Sequence, residues 1–297
     1  MPFDQVKERP AEAPAAPASY TSAMKGTILA HAPTEGEAES LRVAIKLAEA
    51  SNGVVNVVVA EGFEPAAFSG VEFTAGSLMQ ALLDAQRRRI LAATRRAETE
   101  KNAAHAPVNI FHEEEFPEDA LALHACGADW IVTVRPEHPG AAHAIHADAS
   151  AVLLRTGMPL LLAPRDAAPL TARRVVIGWR DSREARRAVS DAMPLLMAAE
   201  DVLVVAVGPE DRVDQDRAAL EQVVARLKLR GCKARCELHL LDSRRDVPSV
   251  LNERAESIGA DLIVTGAYAH SRAGEWVFGG VTRGLVEHCP KYLLMSH

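Results

Sequence analysis

Short apolar runs alternate with longer amphipathic stretches along most of the chain, and the whole alternation comes twice. Lys25–Ala32 (KGTILAHA) is an apolar run of strand length, followed by a segment that places Ala38, Leu41, Ile45 and Ala48 on one helical face. Thr34 and Glu37 have capping-box spacing and predict the start of that helix. The plan returns at Arg174–Arg180 (RVVIGWR), where Asp181 and Ser182 precede a helix with Ala185, Ala188, Val189, Ala192 and Leu196 inward. Val54–Ala60 and Asp201–Val207 are β-branched runs too short for helices, and each reads as a buried second strand.

Long helical segments follow at about Leu78–Ala104 and Arg212–Arg230, then third strands at Pro107–His112 and Lys233–Leu240. Third helices are predicted from Pro117 and from Asp246-Val247-Pro248, because proline in a first turn gives up an N–H that had no partner. The clearest repeat comes next: Gly127-Ala128-Asp129-Trp130-Ile131-Val132-Thr133 against Gly259-Ala260-Asp261-Leu262-Ile263-Val264-Thr265. Last strands at Pro159–Ala163 and Tyr292–Met295 close each unit.

Five strands alternating with four helices per unit predict an α/β fold, two doubly wound parallel sheets of order 3-2-1-4-5 in tandem. The boundaries read as a disordered tail at 1–23, a first domain at 24–163, a linker at 164–173 carrying Pro164 and Pro169, and a second domain at 174–297. The first copy has roughly sixteen extra residues, expected as a loop near Phe63–Gly76 before its second helix.

The length of 297 residues fits two cores better than one, and aromatics at 4% leave the interior to Ala, Val, Leu and Ile. A formal charge of -7 argues against non-specific nucleic-acid binding, and Arg87-Arg88-Arg89 and Arg95-Arg96 read as a solvated helix face. No run of eighteen apolar residues predicts a membrane span, and the Pro- and Ala-rich start lacks the apolar segment of a secretory signal. Cys126, Cys232, Cys236 and Cys289 form no C-x-x-C pair, so a reducing, cytoplasmic compartment is expected; the even spacing of Cys232 and Cys236 would let them share one strand face, and the competing reading is that of small buried hydrophobes.

In an open α/β sheet ligands collect at the carboxyl ends of the strands, where the winding reverses, here between strands one and four. The loop after the second copy's fourth strand runs from Gly266 to Arg283 and enters a helix through Gly279-Gly280. Glycines let backbone N–H groups approach an anion, and a helix start adds partial positive charge. Ser271 and Thr282 add hydroxyls there, His270 and Arg272 charge; the competing reading is a glycine turn that only packs the loop.

Gly266, two residues, Ala269, nine residues, Gly279 and Gly280 resemble the nucleotide-binding signature of universal stress proteins, Gly-x2-Gly-x9-Gly followed by Ser or Thr. Ala269 stands for the second glycine and Gly280 for the hydroxyl residue, while the resemblance spans Met24–His297 as two copies. It implies a stress-response regulatory protein that binds ATP or another adenine nucleotide, with Mg2+ as accompanying ion, in the second domain. Phosphates would meet Gly266, His270, Ser271, Gly279, Gly280 and Thr282, and backbone near Ala206 and Val207 would meet the adenine. The family's aspartate at the end of strand one is replaced by Arg180 in Trp179-Arg180-Asp181-Ser182. The resemblance also implies antiparallel pairing of the fifth strands in an intramolecular pseudo-dimer, with a homodimer of such units as a further option.

Val134–His146 lacks the paired glycines, so the first copy reads as degenerate for phosphate and structural in role. His143 and His146, with His138 and Asp148 nearby, are either a metal pair on a helix face or a polar helix start. His31 is expected to cap the first strand at its crevice, and Trp179, taken as its counterpart, either stacks on a base or covers the sheet end. No nucleophile elbow or P-loop lysine is present, so at most slow ATP hydrolysis is expected. Two alternatives remain open at this point: an interaction module without nucleotide, and a nucleotide-using enzyme of the same superfold.

Overall fold

The computed structural model describes residues 26–63, 76–135, 143–165, 168–241, 245–267 and 280–297. The tail at 1–23, nearly all of Phe63–Gly76, His138, Ala269, His270, Ser271, Arg272 and Gly279 lie outside them. The first half runs β1 (Thr27–Pro33), α1 (Glu39–Ser51), β2 (Val54–Ala60), α2 (Gly76–Ala103), β3 (Val108–Glu113), α3 (Pro117–His124), β4 (Trp130–Val134), α4 (Ala149–Thr156) and β5 (Leu160–Ala163). The second half repeats it: β6 (Arg174–Gly178), α5 (Arg183–Asp191), α6 (Met193–Ala198), β7 (Asp201–Gly208), α7 (Val213–Leu229), β8 (Ala234–Leu240), α8 (Val247–Ile258), β9 (Leu262–Gly266), α9 (Gly280–His288) and β10 (Tyr292–Ser296).

All ten strands form one sheet in the order β3-β2-β1-β4-β5-β10-β9-β6-β7-β8, so each half keeps the order 3-2-1-4-5. Within a half every described pairing is parallel. β5 and β10 pair antiparallel, Leu162 opposite Leu293 and Leu160 opposite Met295, which turns two edges into one seam. Helices cover both faces. Ile28, Val57, Val132, Ile177 and Val204 point to the layer of α1, α2, α5 and α7, and Leu29, Val58, Ile131, Val176 and Leu203 to the layer of α3, α4, α8 and α9. A strand buried on both faces needs apolar residues at every position, which is why these runs read as continuous rather than alternating.

The Gly-Ala-Asp repeat has a structural cause. Asp129 accepts a hydrogen bond from the N–H of Thr27 at 2.8 Å, and Asp261 accepts from the N–H and hydroxyl of Thr171 at 2.6 and 2.7 Å. In each half the aspartate that precedes the fourth strand thus fixes the chain entering the first.

Arginines clasp the seam from both sides. Arg135, at the end of β4, donates through Nε to the carbonyl of Val286 at 2.7 Å and through Nη1 to that of Cys289, satisfying the last carbonyls of α9 in the other half. Burial holds its guanidinium below the ordinary arginine pKa. In return Arg187, on α5, donates to the carbonyl of Gly157, the cap of α4, at 2.5 Å.

Several local expectations change. Thr34 and Glu37 do not cap α1, which starts after Ala38 without a side-chain bond. The Thr34 hydroxyl donates instead to the buried Glu61 carboxylate at 2.5 Å, and Gly36 (φ +80) carries the turn, so the helix begins later. The single helix expected after Ser182 is two, because Pro194 in the first turn of α6 has no N–H to continue α5. Part of the first copy's surplus lies in the helix itself: α2 has 28 residues and α7 has 17. Cys236 is exposed on β8, whereas Cys232 is buried just before it, so the two do not share a buried face.

Arg135→Ala leaves two carbonyls at the end of α9 without a charged donor, and we expect a loss of about 1.5–3 kcal/mol in urea unfolding. Arg95→Ala, on the exposed side of α2, should cost less than ~0.5 kcal/mol. Equal effects from the two would remove the clasp from the account.

Candidate functional site

The turn from β6 into α5 is built by Trp179-Arg180-Asp181-Ser182. Ser182 caps α5 by accepting from the N–H of Ala185 at 3.2 Å, and Asp181 is ion-paired with Arg186 at 2.5 Å. The crossover to β7 therefore leaves the sheet at once, while β9 leaves on the opposite face into α9. Between them opens a crevice of about 460 Å³ at the carboxyl ends of β6, β7 and β9. Ala185, Val205 and Leu251 make its floor apolar, and Arg180, Arg212, Asp216 and Thr282 stand around it.

Of the residues singled out from sequence, Trp179, Arg180, Ala206, Val207, Gly266, Gly280 and Thr282 all line this crevice. Their roles separate on inspection. β6 makes its last ladder contact with β7 at Gly178 opposite Val205, and the N–H of Trp179 donates to the Val205 carbonyl at 2.8 Å. β7 runs on to Gly208 beside β8. Backbone groups alternate sides along a strand, so Val207 turns its N–H and C=O toward the crevice, beyond the end of the β6 ladder. Ala206 points its backbone at β8 and contributes only its methyl group.

Gly266 is glycine for packing. A Cβ there would lie 2.5 Å from the Ala185 nitrogen and 2.6 Å from the Glu184 carbonyl carbon, so the start of α5 demands the missing side chain. Gly280 differs: among the described residues nothing lies within 4 Å of a Cβ at that position, and it opens α9 at the crevice. Thr282 follows two residues later, buried at 6% exposure. Trp179 is 8% exposed and packs into the core, and its Nε1 is buried without a hydrogen-bond partner, so it covers the sheet end and walls the crevice together.

Sequence reasoning missed Arg212 and Asp216. They pair at 3.4 Å across the start of α7, an i,i+4 spacing whose signal needs the helix start to be known. The Asp216 carboxylate reaches the end of β7, where a Cβ at Gly208 would lie 2.4 Å from it and push it aside.

The first half fills the corresponding space with its own groups. By strand register Glu61 is the counterpart of Gly208 and Gly62 of Pro209. Glu61 is 2% exposed, ion-paired with Arg89, and its carbonyl accepts from Gln86 at 2.5 Å. The N–H of Gly62 donates to the Ala144 carbonyl at 2.8 Å, and the Phe116 ring lies 2.5 Å from where a Gly62 Cβ would be.

His31 lies inside β1 rather than at its end, 2% exposed, and its register counterpart is Gly178, one residue before Trp179. His143 lies in the turn before α4 and His146 at a bend, so the two share no helix face; Asp148 caps α4 by accepting from the N–H of Ala151 at 2.8 Å.

Residues 171–297 match the model of the universal stress protein family. No curated protein matches the chain. A universal stress protein from Archaeoglobus fulgidus DSM 4304 superposes with a TM-score of 0.68, covering 94% of this chain and 97% of its own at 12% identity. A functionally unknown protein from Pseudomonas aeruginosa PAO1 gives 0.58 over 92% and 93% at 14% identity. A structure from Pseudomonas aeruginosa UCBPP-PA14 described as a universal stress protein gives 0.59 over 92% and 94% at 15% identity. At these identities the likeness is one of fold, and it covers both halves.

Burial lowers the His31 pKa to about 4 against an ordinary 6.5, since its imidazole lies away from water and near His146. The unfolded chain takes up this proton below pH 6.5 and the folded chain only near pH 4, so stability falls as pH drops through that window. We expect His31 to account for a loss of about 2–3 kcal/mol between pH 7 and pH 4.5. Urea unfolding of the wild type and His31→Gln at both pH values measures it: the variant should lose that much less.

Proposed function

We propose, on the premise that the C-terminal half belongs to the universal stress protein family, that its crevice binds an adenine nucleotide as a regulatory ligand. One observation carries the reading: the strand end at Val207 and the start of α9 face one another across a single apolar crevice. A purine ring needs a flat apolar slot with backbone donors and acceptors at its edge, and the slot over Leu251 and Val205 beside Val207 supplies both. Phosphates need N–H groups and partial positive charge, which the first turn of α9 at Gly280 and Thr282 supplies. Arg180 brings a guanidinium to the same opening. ATP is the first candidate, with Mg2+ carried on its phosphates; Gly279, Ala269, His270, Ser271 and Arg272 would complete the phosphate side. The first half, with its strand ends filled, serves as a fixed partner across the seam. A cytoplasmic location and pairing of whole chains into a homodimer belong to the same reading.

The crevice holds a ligand in place with backbone amides and an apolar floor, so the site is read as regulatory rather than as one that turns over quickly.

Calorimetric titration with ATP, with and without Mg2+, tests this. Gly280→Glu is the informative variant: no described residue lies within 4 Å of a Cβ there, and an acidic residue suits a helix start, so the fold should hold. Its carboxylate would meet the phosphates, and we expect affinity to fall by at least about tenfold, on the order of 1.4 kcal/mol. No heat from ATP, ADP or AMP with the wild type would end the nucleotide reading and favour an interaction module.

A further inference from the structure

We propose that Asp216, held by Arg212, reads the exocyclic group of the bound base, so that the crevice takes a 6-aminopurine and turns away its 6-oxo counterpart. This inference rests on the nucleotide reading and adds a selectivity to it.

The starting point is the end of β7. Val207 offers its backbone edge to the crevice, and a purine docked along that edge places its six-membered ring toward the start of α7. Asp216 lies there, in the first turn of α7, its carboxylate so close to the strand end that a Cβ at position 208 would lie 2.4 Å from it. The carboxylate is mostly shielded, at 17% exposure, and Arg212 approaches it at 3.4 Å. Arg212 meanwhile keeps its Nε buried without a partner while lining the same crevice. A long pair and an unsatisfied buried N–H describe a side-chain couple with hydrogen-bonding capacity to spare.

The chemistry of the two ring types then decides which is accepted. An exocyclic amino group donates, and an ionised carboxylate only accepts, so the two are complementary. A 6-oxo group presents a lone pair to the same carboxylate, and two acceptors facing each other in a shielded place repel. A site made to accept from a donor discriminates more sharply than one relying on shape, because the wrong base leaves a buried polar group without its partner. Among the described residues the one other acidic side chain lining this crevice is Asp181, which is engaged by Arg186.

Binding of ATP and of inosine triphosphate, which differs at the 6-position and the protonation of N1, gives the test. The wild type is expected to favour ATP by on the order of tenfold or more. Asp216→Asn keeps the shape but supplies a donor as well as an acceptor, and should bring the two affinities within about threefold, chiefly by improving inosine triphosphate. Arg212→Gln, which frees the carboxylate, should retain or widen the preference; thermal melting checks that both variants fold. Equal wild-type affinity for the two nucleotides, or an undiminished preference in Asp216→Asn, overturns the selectivity and leaves the nucleotide reading standing. If neither nucleotide binds the wild type, the reading and the inference fall together.

Discussion

The antiparallel contact between β5 and β10 is the constraint on which the rest depends. A parallel five-stranded sheet has two edges, and each edge exposes backbone groups that invite another strand. In this chain the inner edges satisfy each other, so two sheets become one and the two halves acquire a fixed relation. Arg135 and Arg187 reinforce the seam by tying the last turn of a helix in one half to an element of the other. The outer edges are left to strands with polar side chains: Arg235, Glu237 and His239 on β8, Asn109 and His112 on β3. On β8 these engage in ion pairs, Arg235 with Asp201 at 2.9 Å and Glu237 with His239 and Arg254.

Once the seam is fixed, the halves are free to diverge where the strands end. The second half keeps its crevice open by economy of side chains: Gly208 admits Asp216, Gly178 admits Leu251, and Gly266 admits the start of α5. The first half puts a carboxylate, Glu61, where the second has glycine, and an imidazole, His31, where the second has Gly178. A buried carboxylate needs charged or polar partners. Arg89, Thr34 and Gln86 converge on Glu61, at the strand end that corresponds to the crevice of the other half. Duplicated backbone thus supports one open site and one filled one, and the difference is local.

Much of this was legible in the residues alone. The β-branched runs, the offset copies of Gly-Ala-Asp and the prolines in the first turns of the third helices pointed to ten strands in two repeated halves, because burial on both sheet faces leaves an unmistakable apolar signature. The glycines near the second copy's fourth strand pointed to the sheet end where the crevice opens. Their meaning did not follow: Gly266 resembles a phosphate-binding glycine in spacing, yet its Cβ position belongs to the backbone of α5. The Thr34–Glu37 pair likewise had the spacing of a cap, but a buried carboxylate twenty-seven residues away competed for the hydroxyl and won.

By itself the sequence determined the order of the strands, the repeat and the parallel direction within each half, since these follow from periodicities that neighbours along the chain impose. Only the tertiary structure decided which backbone edge faces the crevice, how close Asp216 comes to position 208, and that Arg212 and Asp216 line the same crevice. Those depend on groups brought together from different elements, with distances that no spacing along the chain encodes. Whether a cavity is open or filled is a question of side-chain volume in three dimensions, and there the two halves, alike in pattern, part company.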